Sequence, residues 1–451
     1  MASETVRDSR TRAQERLLVP LVVFLFFAWG FATVLIDSLV PKLKGLFSLN
    51  YAEVLATQFS FFIGYFVFAI PAALILSRFG YIRSAVIGLV VMACGCLLFA
   101  PAADLGVYPA FLFALFVMSA GATILQVSAN PFIELLGPEK SSHSRLTLAQ
   151  AFNSLATTIG PWVGALTILS GSATVNTAGL SEQALAALRR TEAHVVQFPF
   201  LVIAAALIVI AFMFWRIRND TAPRVTPEAA RIGAMAAMLK RPRVALGALA
   251  IFVYVGAEVY IGSVMTNYLL QPTVLGTGAP HIGRAIGSVI GLPGLFSSNP
   301  VVCAGQFVSF YWGGAMIGRF IGSYVLMRAQ PGYVLSACAV VACALALTSS
   351  QTTGHTAAFT VLAIGLFNSI MFPTIFALAT EQLGSETPNG SGLLVMAIVG
   401  GAIVPEVAAH VADSASPAAA LFVPAACYVC ILIYGILAAR GLGMPTQNAA
   451  G

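Results

Sequence analysis

Two carboxylates stand where the surrounding sequence is apolar. Asp37 follows Trp29 and Thr33 at i, i+4 and i+8, which puts the three on one face of a helix. Glu258 lies in Tyr254-Val255-Gly256-Ala257-Glu258, with Tyr254 one turn earlier on the same face. A charge in hydrocarbon costs at least about 2.5–3.5 kcal/mol on the insertion scale, so each such residue needs a reason to be there. A carboxyl group held out of water is suited to bind and release a proton, and Asp37 is the first candidate for proton coupling. Glu258 is suited to titrate, to bind hydroxyl groups, or to do both. The structural alternatives are an acid neutralised beside Lys42 and Lys44 for Asp37, and an inter-helix hydrogen bond for Glu258.

Uncharged polar residues form two further faces. Gln126 and Asn130 sit at i, i+4 just before Pro131, and Thr147, Gln150, Asn153 and Thr157 repeat at helical spacing in the next apolar run. Amides facing lipid are costly, so both faces must turn toward protein or a wet cavity. Bonding between helices is the plain use of such residues. Four amides on consecutive helices also place fixed donors and acceptors side by side, which is what the hydroxyls of a sugar require. Asn368, five residues before Pro373, adds a further amide, and Trp29, Trp312 and Phe372 are flat faces on which a sugar ring can stack, although packing is the commoner role of such aromatics. Arg319 reads as a latch near a helix end rather than a substrate contact, and Glu406 as an acid that reaches water.

Other chemistry finds no support. The five histidines show no metal-ligand spacing, and no Gly-rich loop with a lysine is present to cradle phosphate. The spans hold no nucleophile–base pair, so the expectation is a protein with no cofactor and no metal that is not an enzyme. Active transport would have to draw on an ion gradient.

The elements that position these residues follow from composition. The chain has 451 residues, 59% hydrophobic and 9% charged, with a mean hydropathy of +0.90. Soluble domains carry about 25% charged residues, so a soluble enzyme, a nucleic-acid-binding module and a disordered chain are excluded. The solvent must be the lipid bilayer, which an apolar helix crosses in about 20 residues. Apolar runs delimited by Gly, Pro or charges fall at 17–41, 53–77, 82–101, 108–136, 146–171 and 196–216, then at 244–270, 300–327, 332–350, 356–380, 390–413 and 416–439. Seven cysteines all fall in these spans, where packing is their expected use. The exterior loops at 172–195 and 271–299 are long; 181–195 has the composition of a short surface helix.

Charge supplies the orientation. Arg7, Arg10, Arg12 and Arg16 precede the first span, and Arg216, Arg218, Arg224, Arg231, Lys240, Arg241 and Arg243 lie between the sixth and seventh. With Arg78, Arg83, Lys140, Arg145, Arg328 and Arg440, one face holds 17 of the 23 Lys and Arg, against Lys42, Lys44, Arg189, Arg190 and Arg284 on the other. The positive-inside rule then places both termini and the basic linker in the cytoplasm. This bias accounts for the net charge of +6 without nucleic acid.

The two halves repeat each other weakly. Ser60-Phe61-Phe62-Ile63-Gly64 resembles Ser309-Phe310-Tyr311-Trp312-Gly313, Pro131 pairs with Pro373, and Pro161 pairs with Pro405. Gly64 and Gly314, each 14 residues before an arginine, lie 250 residues apart; the two proline pairs lie 242 and 244 apart. The expected architecture is an all-α membrane protein of twelve transmembrane helices in two six-helix bundles related by a parallel repeat. Its parts are a cytoplasmic tail (1–16), an N-terminal bundle (17–216), a basic linker (217–243), a C-terminal bundle (244–440) and a second cytoplasmic tail (441–451).

Longer motifs carry a family resemblance. Leu125-Gln126-Val127-Ser128-Ala129-Asn130-Pro131-Phe132, the run Ser144 to Ser154, Tyr254 to Glu258, Tyr311 to Phe320, and Phe372-Pro373-Thr374-Ile375-Phe376 resemble segments of the bacterial glucose/galactose transporters. These belong to the fucose–galactose–glucose:proton symporters of the major facilitator superfamily, and the similarity runs from about residue 20 to 438. The resemblance implies a monomeric symporter of free monosaccharides in the inner membrane, working by alternating access. It assigns the coupled proton to Asp37; the chemistry of the residues themselves gives the sugar hydroxyls to Gln126, Asn130, Gln150, Asn153, Glu258 and Asn368, with Trp312 as a stacking face. Fucose-transporting members have a second carboxylate where Gln126 stands, and a glutamine where Glu258 stands. That departure favours a D-glucose and D-galactose carrier over an L-fucose carrier. It leaves open sodium coupling or uniport, carriage of N-acetylglucosamine, mannose or fructose, and, more remotely, a membrane sugar sensor.

Overall fold

The computed structural model describes residues 18–35, 47, 51–164, 182–218 and 231–442; Asp37, Lys42 and Lys44 lie outside them. The helices of the first half are α1 (Leu18–Leu35), α2 (Tyr51–Leu97), α3 (Phe99–Leu105), α4 (Tyr108–Leu135), α5 (Ser142–Gly164) and α6 (Glu182–Arg216). After α7 (Ile232–Met238) come α8 (Pro242–Leu269), α9 (Ala279–Val289), α10 (Pro300–Val325) and α11 (Pro331–Gln351). The chain closes with α12 (Gly354–Asn368), α13 (Met371–Thr380), α14 (Thr387–Met396), α15 (Gly400–Ser414) and α16 (Phe422–Ala439). No strand occurs among the described residues, and nine helical stretches there are long and apolar enough to cross a membrane.

Each span expected from the sequence contains described helix, with local reasons for its limits. The second and third spans share one long stretch that is broken at Gly80, where φ is +75° and ψ is 177°. A side chain rarely tolerates that backbone conformation, so the break falls on the residue without one. Further on, α3 ends on left-handed Gly106, whose N–H bonds the Ala102 carbonyl, and α4 begins behind an extended Val107 with proline in its first turn. The short helix expected over 181–195 and the sixth span form one continuous helix from Glu182, because 182–198 is rich in Ala, Leu, Glu, Gln and Arg and the helix runs on through Pro199.

The described residues cluster into two compact units: one up to Ala236 together with Thr380–Met396, the other Ala237–Ala379 with the residues from Ala397 onward. Within the first unit α4 is the central element, buried without interruption from Met118 to Ile133. It packs on α2 through glycine: a Cβ on Gly121 would overlap the Met92 backbone, and one on Gly95 the Met118 backbone. The segment 380–396 also packs here. Thr380 Oγ1 donates to Glu134 Oε2 at 3.1 Å, and Gly392 seats against Ala69, Ala73 and Met235.

In the second unit the central element is the pair α12 and α13. Together with α4, these are the two most buried of the membrane-length stretches, matching the proposed pairing of Pro131 with Pro373. Close contact again rests on small residues: Gly318 faces the Leu366 carbonyl and Ser369, and Gly365 faces the Tyr311 carbonyl. Apolar side chains line the outward faces of both units, Phe198, Val209 and Phe212 on α6 and Ile317, Ile321 and Tyr324 on α10. This inversion suits a hydrocarbon solvent.

A methyl group on Gly365 would collide with the Tyr311 carbonyl and push α10 from α12. Gly365→Ala should lower the unfolding temperature of the detergent-solubilised protein by about 2–6 °C, the scale set by overpacking. Gly305→Ala, whose Cβ meets nothing within 4 Å, is the control and should leave it unchanged.

Candidate functional site

In the first unit, helical spacing on α4 turns Gln126 and Asn130 the same way, and α5 brings Gln150 to meet them. Gln150 Nε2 donates to Asn130 Oδ1 at 3.3 Å, and Asn130 Nδ2 donates to Gln126 Oε1 at 3.4 Å. Gln126 Nε2 in turn donates to Tyr65 Oη on α2 at 3.5 Å. All four side chains are buried. These are long bonds, near the limit of useful hydrogen-bond geometry. They orient the amides and hold them weakly, which suits groups that exchange partners with an incoming hydroxyl.

Asn153 is placed apart from this chain. Its Nδ2 donates to the Phe26 carbonyl of α1 at 3.0 Å, and Gly30 leaves the room that its amide fills. It therefore ties α5 to the helix that leads toward Asp37. Trp29 is buried on that helix with its ring 5.4 Å from that of Phe26, and Thr33 bonds back to the carbonyls of Trp29 and Gly30.

The second unit holds a separate network centred on Glu258, which is half-buried. Tyr254 Oη donates to Glu258 Oε1 at 2.7 Å and also lies 3.1 Å from the Asn368 carbonyl. The Asn368 side chain is fully buried behind them, its Nδ2 donating to Tyr311 Oη at 2.9 Å. Arg319 donates from Nε to the Ser369 carbonyl at 2.9 Å, and its charge acts on Glu258. Trp312 is half-buried, edge-on to Tyr311 at 5.1 Å between ring centres, with its indole over Gly262. Phe372 is buried against Phe376, and Glu406 is exposed.

The four amides expected from the sequence to share one polar lining thus divide: Gln126, Asn130 and Gln150 are linked, and Asn153 bonds α1 instead. Tyr65 and Tyr311, which complete the two networks, carry no such mark in the sequence. Nothing local separates a tyrosine that offers its hydroxyl from one that only packs. Among the described residues no cluster of three His, Cys, Asp or Glu side chains is arranged to hold a metal ion.

Arginines also close the ends of the two central elements. Arg145 on α5 reaches the carbonyls of Ile133, Glu134 and Pro138 at the end of α4. Arg243 on α8 donates to the Leu378 carbonyl near the end of α13 at 2.6 Å. Both place a cation where a helix presents unpaired carbonyls.

The family model described as Major Facilitator Superfamily matches residues 18–405. A glucose/galactose transporter of Brucella abortus biovar 1 (strain 9-941) is 44% identical over 421 residues, 93% of each chain. A putative glucose/galactose transporter of Helicobacter pylori (strain J99) is 36% identical over 91% of this chain and 94% of its own. Among solved structures, the Escherichia coli fucose:proton symporter superposes with a TM-score of 0.80 at 30% identity, covering 94% of this chain and 99% of that one.

Removing the middle of the amide chain tests whether it is a connected unit. Asn130→Ala leaves the Gln150 Nε2 and the Gln126 Oε1 without their buried partner, which should cost about 1–3 kcal/mol of stability, read by thermal or denaturant unfolding. A loss below about 0.3 kcal/mol would mean the chain carries no weight.

Proposed function

The chain belongs to the Major Facilitator Superfamily, and on that footing we propose that it imports a free aldohexose, D-glucose or D-galactose, together with a proton by alternating access. It is a multi-pass membrane transporter and not an enzyme. The observation that carries the sugar assignment is the chain of buried amides, Gln150 to Asn130 to Gln126, joining α5 to α4. Hydroxyl groups of a hexose each donate and accept, and amide groups present both functions within one residue. Gln126, Asn130, Gln150 and Asn153 bind hydroxyls, as does Glu258, backed by Tyr254 and Asn368; Trp312 supplies the stacking face.

Coupling falls to the carboxylates. Gln126 cannot titrate, which leaves Asp37 as the carrier of the proton and Glu258 as the second acid that senses it. A deprotonated Asp37 resists enclosure in the empty carrier, while a protonated Asp37 permits it; that difference in conformational preference is the coupling. The protein acts as a monomer in the bacterial inner membrane with both termini in the cytoplasm, in keeping with the excess of Lys and Arg on that face. Proton coupling is preferred to sodium coupling because the coupled group is a carboxylate on an apolar helix and the solved relative is named a proton symporter.

Two variants test this reading in proteoliposomes. Asp37→Asn should abolish hexose accumulation driven by a pH gradient and spare counterflow exchange; undiminished accumulation contradicts the assignment. Glu258→Ala should weaken hexose binding by more than about tenfold, the loss of one charge-assisted hydrogen bond. Unchanged affinity would remove Glu258 from the site.

A further inference from the structure

The span that carries Asn368 is not one helix. α12 stops at Asn368, α13 starts at Met371, and the first bond beyond the break runs from the Thr374 N–H to the Ile370 carbonyl at 3.0 Å. The cause lies one turn on. Helical bonding would pair the Ser369 carbonyl with the N–H of residue 373, and residue 373 is proline, which has none. A buried carbonyl left without a partner costs about 1–3 kcal/mol, so a donor at that position stabilises the bend.

Arg319 does so, with Nε 2.9 Å from the Ser369 oxygen. Its helix comes close enough because Gly318 has no side chain to strike Ser369 and the Leu366 carbonyl. The neighbouring Asn368 carbonyl is reached by Tyr254 Oη at 3.1 Å, but that hydroxyl has one proton and a second acceptor, Glu258 Oε1, at 2.7 Å. The shorter bond to a carboxylate takes the proton. Of the two side chains at the break, only the guanidinium carries more than one donor.

We propose that Arg319 is a positioning residue: it supplies the hydrogen bond that Pro373 withholds, and so fixes the bend on which Asn368, Tyr254 and Glu258 are aligned for sugar. This rests on the hexose-binding reading of Glu258. Arg319 holds backbone rather than substrate, and its charge beside Glu258 is a second and separable contribution. The groups around that carboxylate are Tyr254 on its own helix, Arg319 and Tyr311 on α10, and Tyr428 on α16.

The test restores the missing N–H. Arg319→Leu should weaken D-glucose binding, measured by titration calorimetry, by about tenfold or more and lower the unfolding temperature. Pro373→Ala alone should bind within about threefold of the parent. Arg319→Leu/Pro373→Ala should return to within about threefold of Pro373→Ala, because the backbone N–H gained at that position now takes the Ser369 carbonyl. If Arg319→Leu cannot be recovered folded, recovery of folded protein in the double variant is the same result. A double variant as impaired as Arg319→Leu alone overturns the proposal; Arg319 would then act by charge, and its effect would vanish in a Glu258→Gln background instead. Should the parent protein bind no hexose, the functional reading fails, while rescue of the unfolding temperature by Pro373→Ala still decides the role of Arg319.

Discussion

Hydrocarbon offers a polar group nothing to bond, and the rest of this structure follows from that constraint. A polar group within the spans is best satisfied by a partner inside the protein. The two networks are solutions to that demand. In one, amides on α4 and α5 link to each other and to Tyr65; in the other, Tyr254 and Arg319 attend to a carboxylate and to two carbonyls at a break in the backbone. The same demand sets arginines on the carbonyls at the ends of α4 and α13. What remains facing outward is apolar, so binding groups are confined to the interior.

Confinement also explains how a carrier can recognise sugar without holding it too firmly. The amide chain is linked by bonds of 3.3–3.5 Å, so on the proposed reading its groups are oriented before a ligand arrives and give up little when hydroxyls replace those bonds. The Glu258 side differs in kind. Its bond to Tyr254 is short, and the groups behind it are fully buried. On the proposed reading, the amides exchange partners with sugar hydroxyls, and Glu258 anchors one.

Much of this is legible in the sequence, because membrane helices expose their logic through what they exclude. Spans stand out by hydropathy, and the amides at 126, 130, 150 and 153 stand out because polar residues at helical spacing in such spans must face protein or a wet cavity. The break at Gly80 and the one before Pro373 also rest on residues with an evident backbone reason. Partnerships set by distant elements are hidden. That Asn153 bonds the Phe26 carbonyl while Gln150 joins Asn130 depends on how α5 rotates against α1 and α4. That Asn368 is sealed behind Tyr311, and that 380–396 packs with α2 and α4, depends on contacts far apart in the chain. The sequence position of Arg319 suggests a helix-end latch; its hydrogen bond instead goes to a carbonyl inside a span, and the proline that creates the vacancy lies 54 residues later in the sequence.

The most direct test of the central claim is uptake of radiolabelled D-glucose into proteoliposomes containing the purified protein, with proton and sodium gradients imposed separately and other sugars as competitors. Accumulation should follow the inward proton gradient alone, with D-galactose competing strongly and L-fucose, N-acetylglucosamine and fructose failing to compete. Uptake that ignores the proton gradient, or that L-fucose inhibits as well as D-galactose does, would contradict a proton-coupled aldohexose carrier.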